Sequence, residues 1–249
     1  MVAGQAATAA LVVAMAVEEI VPGVHAIGMG YVNAFLIAGD DGLTLVDSGL
    51  PKKKDPILSA VAQVGRRPAD LKHILITHHH IDHIGSLGDL MEATGANSYV
   101  HPLDSPIVRG DRPQPGPNPA SLLGRFAGPL LALFGPATTT APVDVEVADG
   151  EELAVAGGVR AVHTPGHTPG HLSFLLPRDG GLLFAGDAAA NVIRLGLPIG
   201  MFTADREQAK ESIRRLASLE FEVACFGHGR VLKGEANLRF RRLAEKLAR

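Results

Sequence analysis

The sequence predicts an α/β fold, on three observations. From about residue 18 onward, short runs rich in Val, Ile and Leu alternate with stretches of helical spacing, the pattern of strands covered by helices. Five of these apolar runs lead straight into a histidine or an aspartate. Apolar residues make up 46% of the 249 positions, enough for a sizeable core in one large domain.

Strands are expected at 24–27, 34–37 and 43–46, with Gly39-Asp40-Asp41-Gly42 turning between the last two. Asp55-Pro56 reads as a helix start, Asp at the N-cap and Pro at the first helical position, and Gly65 stops that helix after about Val64. A buried strand at 73–76 precedes a helix from Ser86 to about Thr94, closed by Gly95, and 99–100 is strand again. Residues 103–142 break the alternation with a series of prolines followed by an apolar piece at 122–134. Its apolar content speaks for a helical lid or pocket wall. A core helix on a long connector, or a homodimer contact, is the alternative. Strands resume at 143–147, 152–155, 159–162, 173–176 and 182–184. Ala209, Ile213, Leu216 and Leu219 mark an amphipathic helix that starts at Asp205; 223–226 is a last buried strand, and 235–249 a basic amphipathic helix. The Ala/Val-rich residues 1–17 lack the basic start of a signal peptide and are too short for a membrane span. They read as a flexible extension before one domain at 18–249, in a cytoplasmic protein with a secreted form as the alternative.

A net charge of −3, no Trp and two Tyr argue against a nucleic-acid partner; a small molecule is expected instead. Cys225 is the single cysteine, so no internal disulfide forms. Its neighbours Ala224 and Phe226 make it a core thiol.

The chemistry concentrates in Thr77-His78-His79-His80-Ile81-Asp82-His83, where six residues carry four imidazoles and one carboxylate directly after Ile74-Leu75-Ile76. Imidazole nitrogen is the commonest protein donor to zinc-like ions and carboxylate its usual companion. His78 and His80 stand two apart and can face the same way, while Asp82 and His83 start a new direction, toward a second ion. Other apolar runs end at Asp47, at His163 and His167, at Asp187 and at His228. In α/β sheets ligands gather outside strand ends.

Together, Val46-Asp47-Ser48-Gly49, the 77–83 segment, Thr164-Pro165-Gly166-His167-Thr168-Pro169-Gly170-His171, Gly186-Asp187 and Gly227-His228-Gly229 resemble the metallo-β-lactamase-fold hydrolases, in the family's order over about residues 18–235. The resemblance implies an αββα sandwich of two mixed sheets flanked by helices, with the site at one sheet edge. It implies that His78, His80 and His167 hold one divalent ion and Asp82, His83 and His228 a second. Asp187 would bridge both, and Asp47 would orient a loop or a ligand histidine. Zinc is the expected metal, in a cage that also suits Mn, Fe or Co. The implied reaction is hydrolysis of an ester, lactone or thioester by a hydroxide shared between the ions, held and oriented by Asp82 as catalytic residue. His171 is expected to support the site or touch substrate. His79 should point away from its neighbours, as a supporting or solvated ring, and His163 should be a hydrogen-bonding or rim group. His25, His73 and His101 read as structural, with His101 able to border the pocket.

Within the family, the His-His-His-x-Asp-His form resembles glyoxalase II-type thioesterases, but Ala188-Ala189-Ala190-Asn191 and Gly229-Arg230-Val231 do not match their glutathione-site motifs. The ligand pattern with His171 also resembles N-acyl-homoserine lactonases, whose acyl chain suits the apolar 122–134 piece. No Tyr follows the Asp187 motif to supply the phenol those lactonases place beside their metals. Weak or promiscuous β-lactam hydrolysis, and an iron-dependent oxidoreductase on the same cage, are the alternatives.

Overall fold

The computed structural model describes residues 16–121, 125, 139–198 and 200–248. The chain begins with β1 (Ala16–Val21), β2 (Val24–Gly28), β3 (Asn33–Gly39) and β4 (Gly42–Val46), then β5 (Leu71–Leu75), β6 (Asn97–Val100) and β7 (Val145–Glu146). These seven lie side by side in chain order; β1 to β4 pair antiparallel and β4 to β7 parallel. The second sheet is built from β8 (Glu152–Leu153), β9 (Val159–His163), β10 (Leu172–Leu176), β11 (Leu182–Phe184), β14 (Val223–Cys225) and β15 (Leu232–Lys233). Its order is β15-β14-β11-β10-β9-β8, with only β11 and β14 parallel. A small hairpin joins β12 (Ala190–Asn191) to β13 (Leu195–Gly196).

Alternation along the strands sets the layering, because successive side chains leave a strand on opposite faces. On β3, Phe35 and Ile37 face inward while Ala34 and Leu36 face outward; on β11, Leu182 and Phe184 face inward and Leu183 outward. The inward residues meet Phe174, Leu172 and Val223 in a core between the two sheets. The outward face of the first sheet packs on α1 (Lys54–Gln63) and α3 (Leu87–Thr94) through Ile57, Val61, Leu87 and Leu90. That of the second packs on α5 (Arg206–Ala217) and α6 (Ala236–Leu247) through Ile213, Leu216 and Phe240. Helices, two mixed sheets and helices again make the expected αββα sandwich.

Several local expectations change. The first strand begins at Ala16, so residues 16 and 17 belong to the sheet rather than to the extension; residues 1–15 lie outside those described, as does the 122–134 piece apart from Arg125. Asp55 lies inside the first turn of α1, whose N-cap is Lys53. The strands expected at 143–147 and 152–155 shorten to two residues each. Short helices at α2 (Ile81–Ile84) and α4 (Ser105–Val108) are additions. Gly95 does close α3 in the left-handed conformation, its N–H donating to Met91 O, as a helix end without a Cβ allows. The helix expected from Asp205 is capped by that residue: its side chain accepts from Glu207 N at 2.9 Å and Gln208 N at 3.0 Å. Asp205→Ala is expected to cost about 1 kcal/mol. In a thermal melt that is a fall of roughly 2–4 °C, and an unchanged melt would deny the cap.

Candidate metal centre

Five strands point their C-terminal ends at one edge of the sandwich, and each delivers part of the site. β4 runs into Asp47, β5 into the 77–83 loop and α2, β9 into the loop that reaches His167, β11 into Gly186-Asp187 and β14 into Gly227-His228. The structure brings together all seven predicted donors. Three groups have their ligand atoms within 4.8 Å of one another: His78 with His80 and His167, His78 with His83 and Asp187, and Asp82 with His83 and His228. Asp187 lies at the centre, 3.4 Å from His167 Nε2, 3.6 Å from His83 Nε2 and 3.2 Å from His228 Nε2.

Outer partners fix which nitrogen of each ring faces the site. His83 Nδ1 lies 2.8 Å from Asp47 Oδ2, so the ring donates there and turns Nε2 inward. His228 Nδ1 donates to the Tyr31 carbonyl at 2.8 Å and likewise frees Nε2. Thr77 Oγ1 donates to Asp47 Oδ2 and accepts from His78 Nδ1 at 3.0 Å. His171 is committed on both sides: Nε2 accepts from Asp187 N at 2.9 Å and Nδ1 meets Thr164 Oγ1 at 2.8 Å. It supports the Asp187 loop from behind and has no nitrogen left for an ion. Asp47 also accepts from Thr77 N at 2.8 Å, and does so at φ 60°. That conformation strains most non-glycine residues and is tolerated best by Asn and Asp. Strain of this kind, at a residue that orients a donor, is a frequent mark of a functional position.

The electrostatics suit a cation. Burial, with the imidazoles of His83 and His80, holds His78 well below its ordinary pKa; burial and His167 do the same for His80. Burial brings His167 down to about 4 against the pull of Asp187. These three rings are therefore neutral at pH 7, with lone pairs to give. Burial would lower His83 too, but Asp47 and Asp187 outweigh it and raise it to about 9. The His83 ring, with His228 and His167, holds Asp187 far below the usual carboxylate range despite its burial. Among the described residues, His83 Nε2 and Asp187 Oδ1 are buried with no hydrogen-bond partner. Buried polar atoms of that kind need a partner, and a divalent ion supplies one to both. The donor set, imidazoles plus carboxylates, fits such ions, and an ion beside His83 would take the place of the proton that Asp47 and Asp187 otherwise hold on that ring.

The other histidines separate from the site in different ways. Of the two places expected for His79, supporting or solvated, the structure shows the supporting one: the ring is buried against Asp104 and lines the cavity in front of the donors. His101 takes the structural place expected of it, stacked on His163 at 4.3 Å and outside the cavity lining; His163 also contacts Pro169 O at 2.8 Å through Nε2. His73 lies 3.0 Å from the Tyr99 hydroxyl and His25 3.8 Å from Glu19. Burial drives the Cys225 thiol up, consistent with an inert core thiol.

Sequence reasoning missed three contributors. Tyr31 stacks on His228 at 5.8 Å and places a phenol ring at the cavity, although none follows Asp187 in the chain. Asn33 Nδ2 donates to Phe226 O and Gly229 O and brackets the His228 loop. Asp104 accepts from His79 N on one ligand loop and from Gly170 N on another. None of the three sits in a motif, and only the fold makes them neighbours of the donors.

The sequence model of the metallo-beta-lactamase superfamily matches residues 27–228. The chain belongs to this superfamily. Among its relatives is the probable metallo-hydrolase YflN of Bacillus subtilis (strain 168), 32% identical over 238 residues that cover 87% of this chain and 88% of that protein. A hydroxyacylglutathione hydrolase of Xanthomonas euvesicatoria pv. vesicatoria (strain 85-10) is 31% identical over 204 residues, 81% of this chain. The match spans 62% of the hydroxyacylglutathione hydrolase's own length. Among solved structures, the MIM-2 metallo-β-lactamase shares the fold, with a TM-score of 0.69 at 24% identity over 91% of this chain and 84% of that one. The metallo-β-lactamase family protein TTHA1429 from Thermus thermophilus gives a TM-score of 0.67 at 27% identity, covering 92% of this chain and 79% of that one. The protein is thus a hydrolase of the metallo-β-lactamase superfamily. Among the described residues no helix is long and apolar enough to cross a membrane.

Proposed function

We propose that the protein is a two-metal hydrolase that cleaves the activated carbonyl of an ester or lactone with an apolar portion. The observation that carries the reading is the convergence of His78, His80 and His167 beside Asp82, His83 and His228, with Asp187 between them, at the floor of a cavity of about 1090 Å³. In this reading the first three hold one ion, the second three another, and Asp187 is shared. Divalent ions there supply Lewis acidity toward a carbonyl oxygen and acidify water into a nucleophile near neutral pH.

The chain's own residues do the rest. Asp82 lines the cavity, with Oδ2 3.5 Å from His228 Nε2, and orients the attacking water while accepting its proton. Pro115, Pro117, Pro169, Val192 and Phe202 line the same cavity; their apolar surfaces exclude bulk water and give an acyl portion a place to bury. Arg230 is the one Lys or Arg among the described lining residues, so the pocket lacks the cationic cluster that a polyanionic substrate needs. The relatives' thioester and β-lactam chemistries share the same attack on a carbonyl and are compared directly in the test.

The test is a proton-release panel with zinc-loaded enzyme and a chelator-treated control, on a long-chain acyl lactone, an aryl ester, a thioester and a β-lactam. Chelator-sensitive turnover of the lactone or ester well above the others is expected. Preferential thioester turnover would move the substrate class. Chelator-insensitive turnover, or none, would overturn the reading.

A further inference from the structure

Asp104 sits at the N-cap of α4, yet its side chain makes no capping bond to that helix, although an N-cap aspartate side chain ordinarily accepts from the N–H groups of the first turn. Its carboxylate is fully buried and turned the other way. Oδ2 accepts from His79 N at 3.1 Å and from Thr168 Oγ1 at 2.8 Å; Oδ1 accepts from Gly170 N at 2.8 Å. The His79 ring adds a close contact, Nδ1 to Oδ2 at 2.9 Å. One side chain thus joins the loop that holds His78 and His80 to the loop that holds His167 and His171.

The seat is shaped for this carboxylate. A Cβ on Gly170 would lie 2.5 Å from Asp104 Oδ1 and 2.6 Å from Asp104 N, so only bare backbone can approach so closely. Burial would push the Asp104 carboxyl up, but the hydrogen bonds from His79, Thr168 and Gly170 outweigh it and hold the group below its usual range. A buried carboxylate with three donors makes short, strong, directional contacts. The Asp82, His83 and His228 group has braces that Asp104 does not touch: Asp47, which also reaches His78 through Thr77, and the Tyr31 carbonyl.

We propose that Asp104 is a positioning residue that sets the spacing between His78, His80 and His167, and so tunes the affinity of that donor set independently of the other. The proposal rests on the reading that these histidines hold a metal ion. It assigns no contact with substrate to Asp104.

The test uses the full chain stripped by chelator and titrated with zinc alone, in competition with a chromophoric chelator, alongside thermal melts with and without zinc. The wild type is expected to take two equivalents. Asp104→Asn keeps the shape but cannot accept all three donors, so one equivalent should bind about 10–100-fold more weakly, the size of effect typical of partners behind a ligand, with the second unchanged. The zinc-induced rise in melting temperature should shrink more than the stripped melting temperature falls. Thr168→Val retains the carboxylate and removes one donor; it should give a smaller loss in the same equivalent, and it serves if Asp104→Asn does not fold when stripped. Isotherms that superimpose on the wild type, or equal weakening of both equivalents, would overturn the proposal. A wild type that takes up no zinc would instead overturn the two-metal reading on which it stands.

Discussion

Asp187→Asn is expected to abolish chelator-sensitive hydrolysis, with a fall on the order of 10³-fold, beyond the roughly 10–100-fold that follows loss of an outer partner. The carboxylate lies within 3.2–3.6 Å of His228, His167 and His83, one from each of the three donor groups. Asn has almost the same volume and keeps the backbone N–H that bonds His171, so the loop should stay in place. What disappears is the shared negative charge and one of two accepting oxygens, in a buried setting where cations need both. Metal content by mass spectrometry should fall together with kcat/KM. A variant that keeps two equivalents of metal and full activity would remove Asp187 from the site.

Gly227→Ala should be nearly as damaging without deleting any donor. Gly227 is outside the left-handed region, so its backbone accepts alanine, which elsewhere stabilises by about 0.4–1 kcal/mol. Here a Cβ would overlap Asp187 Oδ1 and His83 Cε1. Neither can retreat easily. His83 is fully buried and pinned to Asp47, and Gly227 itself is held between Gly186 O and Asn33 N. Overpacking of this kind costs about 1–3 kcal/mol, and a displacement of about 1 Å at a reacting centre can cost around 10²-fold in rate. The expected result is a folded protein with kcat lowered by about two orders of magnitude. Activity within a few-fold of wild type would show that the donors have more freedom than the packing allows.

The fold was readable where local pattern and tertiary burial agree. β3, β4 and β11 alternate between two cores, and α5 carries both its cap and its apolar face in the sequence. Elements of two to four residues, such as α2, α4 and the β12–β13 hairpin, are too short to show a period. β1 lay hidden because its first residues continue an Ala/Val-rich stretch with no strand boundary. The donors were legible because the chain groups them in motifs at strand ends. Tyr31 and His228 are 197 positions apart, and His79 and Asp104 are 25 apart, so no local signal joins them. His101 shows the converse limit: a strand-end position names an edge of the sheet but not which loop the ring will meet, and the ring stacks on His163 rather than lining the cavity.

The donors are divided between the two halves of the sandwich. His78, His80, Asp82 and His83 follow strands of the first sheet, while His167, Asp187 and His228 follow strands of the second. A cation gripped by both halves binds the docked protein and not the opened one. By mass action this adds roughly 4 kcal/mol of stability per site when free ion exceeds the dissociation constant about a thousandfold. In a cell, that would tie the lifetime of the polypeptide to metal supply. Under scarcity the sandwich would open more often and meet proteases more often, so abundance would follow the availability of the ion.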